Sequence, residues 1–185
     1  MAINYEAQKH IDIIDRSIQY RGKLLHNVSY LEMVLNAYIA NYFCKGNSQR
    51  MSDMIVIMLG DDRVNLRAKA DIFYNLATTY DRTWFDAYVS IRPKPREAKK
   101  PYNMNQDLVH VIEQRNIMAH RILDYGTFSK EAIPEDVVRF ATMKNEIKPN
   151  DYSKAVFDEL INITINLKNH FEKKVKVQGT YPLSI

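Results

Sequence analysis

Residues 111–126, VIEQRNIMAHRILDYG, bring together three side chains that could do chemistry: Arg115, Asn116 and His120. Histidine titrates near neutral pH, so it can donate or accept a proton in a reaction. Arginine carries a planar fork of donors that suits a phosphate group and the charge of its transition state. The same residues also fit a helix with a few solvated polar side chains. A catalytic constellation and an ordinary helix surface are therefore the two interpretations.

On a helical wheel this stretch has one apolar side and one polar side. Asn116 and His120 are four residues apart and lie beside each other and near Glu113. Arg115 breaks the pattern, because it lies about 140° from His120 and near the middle of the apolar side. The predicted apolar side, which should face the core, consists of Leu108, Val111, Ile112, Ala119 and Ile122.

A guanidinium on an apolar side must be paired, or must leave the core along its long stem. In the structural interpretation, Arg115 pairs with an acid from another helix, such as Glu32, and staples the helices together. In the functional interpretation, part of this side meets another subunit and Arg115 reaches a cleft there. The functional interpretation requires Arg115 and His120 to converge despite their angular separation.

The stretch resembles the motif of HEPN-domain proteins, which is an arginine, four to six residues, and a histidine, commonly with Asn after the Arg. Here Arg115 and Asn116 open the motif, and Ala119 and His120 close it. The surroundings are also similar to that family: a long N-terminal helical hairpin at residues 4–44, a late helix with the motif, and a further helix at 152–174. The resemblance covers most of the chain, and about three residues carry its specific content.

The resemblance implies a metal-independent endoribonuclease that acts as a homodimer and needs no cofactor. Two copies of the motif would line one cleft, which eases the angular difficulty. His120 would exchange a proton with the 2′-hydroxyl or the leaving 5′-oxygen, Arg115 would hold the scissile phosphate, and Asn116 would bind the phosphate or orient the other two. The expected products are 2′,3′-cyclic phosphate and 5′-hydroxyl ends. A bacterial toxin or phage-defence effector is the implied role.

Two alternatives stay open beside this hypothesis. Some members of the family have lost catalysis, so a non-catalytic helical dimer that binds RNA or a protein is the alternative. Toxins of this family that have a nucleotidyltransferase antitoxin often carry a Tyr two residues after the His. Here that position is Ile122 and the nearest tyrosine is Tyr125, so an antitoxin is a possible partner whose usual target is missing.

Apolar residues recur at three- and four-residue steps through most of the chain, which predicts helices. Ile11, Ile14 and Ile18 form the first such pattern, and residues 24–43 continue it past Gly22, which either joins two helices or is tolerated inside one. Residues 136–147, DVVRFATMKNEI, read as a strand or a hairpin arm. Further helices are predicted at 54–59, 63–80, 105–122 and 152–175, with caps at Ser52 or Asp53, at Asp61 or Asp62, at Asn103 or Asn105 and at Asp151 or Ser153.

These elements predict an all-α fold, an up-and-down helical bundle of about five helices, with a small irregular or β-hairpin insertion before the last helix. One domain is expected over residues 1–185, with a tail at 176–185. Residues 91–102, IRPKPREAKKPY, contain three prolines and five basic residues, so they form a loop. It is either a solvated loop or an arm that contacts substrate phosphates through Arg92, Lys94, Arg96, Lys99 and Lys100.

Composition narrows the function classes only slightly. With 185 residues, 46% of them hydrophobic, the chain can bury a real core. No segment is apolar enough to span a membrane and no signal peptide is visible. Cys44 is the only cysteine, which excludes a disulfide framework and fits a cytoplasmic protein. A metal site from His110, Glu113 and His120 would need two more carboxylates, and we expect none. The net charge of +4 is weak evidence for RNA.

Overall fold

A computed structural model gives the architecture and describes residues 5–94, 100–125, 133–143 and 147–177. The prediction of a mostly helical chain with a β element before the last helix is confirmed, although the β element has three strands instead of a hairpin's two. In chain order the described elements are α1 (Tyr5–Cys44), α2 (Ser48–Asp53), a π-helical segment (Met54–Leu59), α3 (Leu66–Tyr80), α4 (Arg82–Asp86), α5 (Met104–His120), β1 (Ile122–Asp124), β2 (Val137–Met143), β3 (Ile147–Ser153) and α6 (Lys154–Val177).

The described residues group into two compact units. Unit 1 draws on residues 1–26 and 113–161, and unit 2 draws on residues 27–112 and 162–185. Helices α1, α5 and α6 each contribute residues to both units. Arg115, Asn116 and His120 all belong to unit 1. The single domain expected over 1–185 stays a prediction.

Helix α1 is continuous through Gly22, where an added Cβ would meet no atom within 4 Å. The helix predicted from Ile11, Ile14 and Ile18 is confirmed, although these three side chains are 46%, 37% and 61% exposed. The buried positions there are one or two residues displaced, at Ile13 and Tyr20. This half of α1 therefore carries apolar residues on two sides and buries only one of them.

Side-chain caps set where several helices begin. Asn103 accepts from the Gln106 backbone N–H at 2.9 Å, and the Gln106 side chain accepts from the Asn103 N–H at 2.9 Å, which is a reciprocal cap for α5. The prediction of Asn103 is thus confirmed. Two other predicted caps are wrong. The segment 54–59 has no side-chain cap at Ser52 or Asp53, because it continues directly from α2, which Asn47 caps. Helix α3 is capped by Asn65 and not by Asp61 or Asp62.

The core of unit 2 is built around aromatic rings. Tyr38 packs against Phe73 and stacks on Trp84, with ring centroids 5.5 and 5.3 Å apart. The Tyr38 hydroxyl donates to Asp81 at 2.8 Å, and Lys174 pairs with the other oxygen of Asp81 at 2.5 Å. The polar tip of the buried Tyr38 ring is thereby satisfied, as burial of a tyrosine requires.

The core of unit 1 is the three-stranded antiparallel sheet, in the order β1-β2-β3. Residues 137–141 of β2 are all buried, so this strand is covered on both faces. One line of the register runs Asp124, Arg139, Asp151 across the three strands. Arg139 donates to both carboxylate oxygens of Asp151, at 2.6 and 2.7 Å. A buried cation thus lies between an acid on each neighbouring strand.

No helix in the described part of the chain combines the length and the apolar character that crossing a membrane requires.

We expect Arg139→Met to lower the free energy of unfolding by about 3 kcal/mol, because it removes the buried cation that pairs with Asp151 and that lies opposite the buried Asp124 in the register of the sheet. Chemical denaturation measures the change. Arg63→Met is the matched control: the Arg63 side chain is 90% exposed beside Asp61, and its loss should have no measurable effect. Equal stability of both variants would contradict the assignment.

His170 should make the stability of the protein depend on pH. Burial lowers the pKa of His170, whose ring stacks on Trp84 and whose Nε2 donates to the Trp84 carbonyl oxygen at 3.2 Å. The unfolded chain then binds a proton at a higher pH than the folded chain, so stability falls as the pH drops through about 6.5. Thermal melts between pH 7.5 and 5 should show a smaller decline in His170→Phe, which keeps a ring but cannot titrate. An identical decline in both proteins would contradict this role.

Candidate functional site

Helix α5 carries all three motif residues in its last two turns. Its core contacts come from Met104, Leu108, Val111, Ile112 and Met118, each at most 3% exposed. Ala119 is only half-buried, and Ile122 lies in β1 and is 47% exposed, so the predicted apolar side holds for its first three residues and is wrong for Ile122. Met118 replaces it as the last core residue of the helix.

Arg115 is half-exposed and does not act as a staple to Glu32. Its Nη1 donates to the Asn116 side-chain oxygen at 3.0 Å. Glu32 pairs with Lys69 in unit 2, which overturns the predicted Arg115–Glu32 contact. Within the described residues Arg115 has no acidic partner.

His120 is the last residue of α5, and its side chain is exposed. No described residue forms a hydrogen bond with it. Asn116, one turn earlier, is also exposed, and residues four apart on a helix lie next to each other. Asn116 therefore has Arg115 on one side, through a hydrogen bond, and His120 on the other, through helix geometry.

Two long-range contacts hold the segment that contains the motif. The Tyr152 hydroxyl donates to the Gln114 side-chain oxygen at 2.5 Å, directly before Arg115. The Arg21 Nη2 donates to the Arg121 carbonyl oxygen at 2.9 Å, directly after His120. Sequence reasoning did not find these partners, because they lie 38 and 100 residues away along the chain and no local pattern marks them.

The described basic residues of the loop at 91–102 differ in how exposed their side chains are. Arg92 is not part of a projecting arm: its side chain is 14% exposed, it pairs with the fully buried Asp107 at 3.3 Å, and its guanidinium covers the Tyr102 ring at 3.2 Å. Lys94 and Lys100 are exposed. Arg96 and Lys99 lie outside the described residues. The predicted substrate contacts of Lys94 and Lys100 stay predictions, whereas Arg92 has a structural task.

A surface groove of about 640 Å³ lies on unit 1 without involving the motif. Its charged groups are three cations and three acids, so it does not offer the uniformly positive surface that a phosphate backbone favours. Its lining residues are Arg16, Gln19, Tyr20, Lys23, Glu135, Asp136, Lys154, Phe157 and Asp158.

Across the residues that the structure describes, no group of three or more His, Cys, Asp or Glu side chains is arranged to hold a metal ion. His110 and His120, which the sequence placed near each other, do not form such a group. The chemistry that the motif itself offers is proton transfer and the binding of an anion.

No protein-family model, curated protein or solved structure matches this chain.

We expect Arg92→Leu to destabilise the protein by about 3 kcal/mol, because the Tyr88 hydroxyl, at 2.8 Å, would be the one partner left to the buried Asp107 among the described residues. Thermal denaturation tests this. Lys100→Gln is the control on the same loop, and since Lys100 is exposed its stability should not change. If the loop binds RNA, Lys100→Gln should reduce the salt dependence of binding by about one counterion. A stable Arg92→Leu protein would contradict the structural task of Arg92.

Proposed function

We propose that this chain is a metal-independent endoribonuclease of the HEPN type that acts as a homodimer. The observation that carries the proposal is the state of the motif at the end of α5. Arg115 has no acidic partner among the described residues and donates to Asn116, and His120 is exposed one turn further along. An arginine that served the fold would be expected to have a structural partner, as Arg139 and Arg92 do.

The reaction we propose needs only the RNA and the protein. The 2′-oxygen of a ribose attacks the adjacent phosphorus, and its proton passes to one histidine. The bond from phosphorus to the 5′-oxygen breaks, and this oxygen takes a proton from a second histidine. The products are a 2′,3′-cyclic phosphate and a 5′-hydroxyl. Arg115 would bind the phosphate oxygens as negative charge develops on them, with its fork oriented by Asn116.

A homodimer supplies the second histidine. Within one helix, Arg115 and His120 point about 140° apart, so one copy aims only part of the set at one phosphate. Exposed apolar residues on the same unit support self-association. The contacts from Arg21 to Arg121 and from the His10 ring to the Tyr125 ring, at 5.5 Å, place α1 alongside residues 121–125. Ile14, Ile18 and Ile122 lie in these stretches and are exposed by 37–61%.

The role of a bacterial toxin or phage-defence effector forms part of this proposal and is supported by the motif resemblance alone. A regulatory antitoxin that modifies a tyrosine two residues after the histidine has no target here, since Ile122 occupies that position.

One observation favours the non-catalytic alternative, a helical dimer that binds RNA or a protein. No described residue orients the His120 ring, whereas a catalytic histidine usually has a group that fixes its orientation and tautomer. The two functions predict different losses. The enzyme loses chemistry when His120 is removed, and the binding module loses only affinity.

The test is cleavage of end-labelled single-stranded RNA in EDTA by the wild type, Arg115→Ala and His120→Ala, with the product ends identified. We expect cyclic-phosphate ends from the wild type, a loss of about 10²–10⁴-fold in rate for His120→Ala and about 10²–10³-fold for Arg115→Ala. The matched controls are His26→Ala and Arg50→Ala, which remove exposed residues of the same types away from the motif.

Sedimentation should show that all five proteins are folded dimers. If the wild type is inert on varied RNAs, and Arg115→Ala changes dimer affinity or RNA affinity instead, the nuclease proposal fails and the binding module replaces it. If both controls lose activity as strongly as the motif variants, the motif is not the site.

A further inference from the structure

The two contacts that flank the motif bound one segment of the chain, from Gln114 to Arg121. Everything that the proposed chemistry uses lies between them. The anchor at the start comes from Tyr152 in β3, and the anchor at the end comes from Arg21 in α1. All of these residues belong to unit 1.

The two anchoring residues, Arg21 and Tyr152, both contact a third residue, Phe140. The Arg21 guanidinium lies over the Phe140 ring, 4.7 Å from its centroid. The Tyr152 ring packs edge-on against the same ring, with centroids 5.7 Å apart and planes at 67°. Phe140 is fully buried in the central strand β2. Arg21, Phe140 and Tyr152 therefore form one connected frame, which holds the segment at both ends.

The anchor at Arg121 acts where a helix is weakest. The final carbonyl groups of a helix have no partners within it, and an unsupported last turn frays. Here the Arg121 N–H donates to the Ile117 carbonyl oxygen at 3.0 Å and completes the last turn. The Arg21 side chain donates to the Arg121 carbonyl oxygen. The next residue, Ile122, is already paired with Ala141 in the sheet. The backbone direction at His120 is thus fixed from both sides.

The anchor at Gln114 is a permanent donor. Burial raises the pKa of Tyr152 to about 12, so its hydroxyl keeps its proton throughout the pH range in which RNA is handled. It can then always donate to Gln114, whose backbone leads directly into Arg115.

Burial alone does not explain an arginine at position 21. Its Nε is buried and has no hydrogen-bond partner within the described residues. Such a group costs free energy that an apolar side chain of similar length would not incur. Arginine at this position supplies two contacts that an apolar side chain could not: the hydrogen bond to the Arg121 carbonyl and the cation–π contact with Phe140.

We propose that Arg21 and Tyr152 are positioning residues, which set the directions of Arg115 and His120 through Gln114, Arg121 and Phe140. This inference rests on the proposed ribonuclease function, and it adds two residues that the motif does not contain.

Tyr152→Phe removes one hydroxyl and keeps the ring. We expect kcat for RNA cleavage to fall by about 10²-fold with little change in KM, because a misdirected group costs chemistry more than binding. The matched control is Tyr20→Phe, the same change on a buried tyrosine of unit 1 that stacks on Phe157 at 4.0 Å. Its kcat should equal that of the wild type.

A double-mutant cycle with Gln114→Met separates positioning from general loosening. If the two residues act through their mutual hydrogen bond, the double variant should be no slower than either single variant. If the losses in kcat of the two single variants multiply in the double variant, Tyr152 does not act through Gln114, and its assignment as a positioning residue is overturned.

Arg21→Met removes the donor and keeps an apolar stem, and Arg21→Lys returns a donor. We expect a large fall in kcat for the first variant and partial rescue in the second. Arg16→Met is the matched control, since Arg16 is also in α1 and also donates to a backbone carbonyl, that of Glu135, at 2.6 Å. Hydrogen exchange at the amides of residues 117–121 should quicken in Arg21→Met and not in Arg16→Met.

The outcomes separate the two proposals. An active wild type whose kcat is unchanged in Tyr152→Phe and Arg21→Met overturns the positioning roles and leaves the ribonuclease proposal standing. An inactive wild type overturns the ribonuclease proposal, and the positioning roles with it. A fall in kcat that Tyr20→Phe or Arg16→Met reproduces also overturns the positioning roles.

Discussion

The last turn of an α-helix leaves carbonyl groups without partners inside the helix, and α5 meets that requirement at the residues that carry the candidate chemistry. The Arg121 backbone N–H donates to the Ile117 carbonyl oxygen, and the Arg121 carbonyl oxygen accepts from the Arg21 side chain. The chain then enters β1 at once and pairs with β2. The sheet and α1 therefore both support the backbone at the end of α5, where His120 is the last helical residue.

Arginine shows the difference between structural and candidate functional roles in this protein. Arg139 is bound to Asp151 in the sheet, and Arg92 is paired with buried Asp107 under Tyr102. Arg21 lacks an acidic partner but is committed to a carbonyl and a ring. Among the described residues, Arg115 contacts only the neutral side chain of Asn116. A partly exposed guanidinium with a neutral neighbour can bind an anion through charge-assisted hydrogen bonds.

Local patterns in the sequence were enough to predict the longer helices and the strand β2, because periodicity acts over a few positions. The cap at Asn103 is local in the same way, since its partner Gln106 is three residues away. The same patterns failed where the answer depends on what covers a surface. In the first half of α1, Ile14 and Ile18 show helical spacing as good as that of Ile13 and Tyr20, and only tertiary packing selects the second pair.

The candidate site could be predicted from the sequence only in its local part. The spacing of Arg115, Asn116 and His120 is visible in six letters of the sequence, but the partner of each residue is not. Glu32 was a reasonable acid for Arg115, yet Lys69 occupies it. Arg92 looked like one of five exposed cations, and its burial follows from Asp107, fifteen residues later in the chain. Contacts that close large loops leave no periodic trace in the sequence.

The spacing of the frame also has a consequence for how the protein is made. The residues that hold the motif are numbered 21, 114, 121, 140 and 152, so the frame cannot close until β3 has left the ribosome. Chains emerge from the N-terminus, and contacts between distant residues form late. A nascent chain halted before residue 152 carries Arg115 and His120 without the support that directs them. Any activity of this site that depends on the frame is therefore delayed, by the order of synthesis, until most of the chain exists.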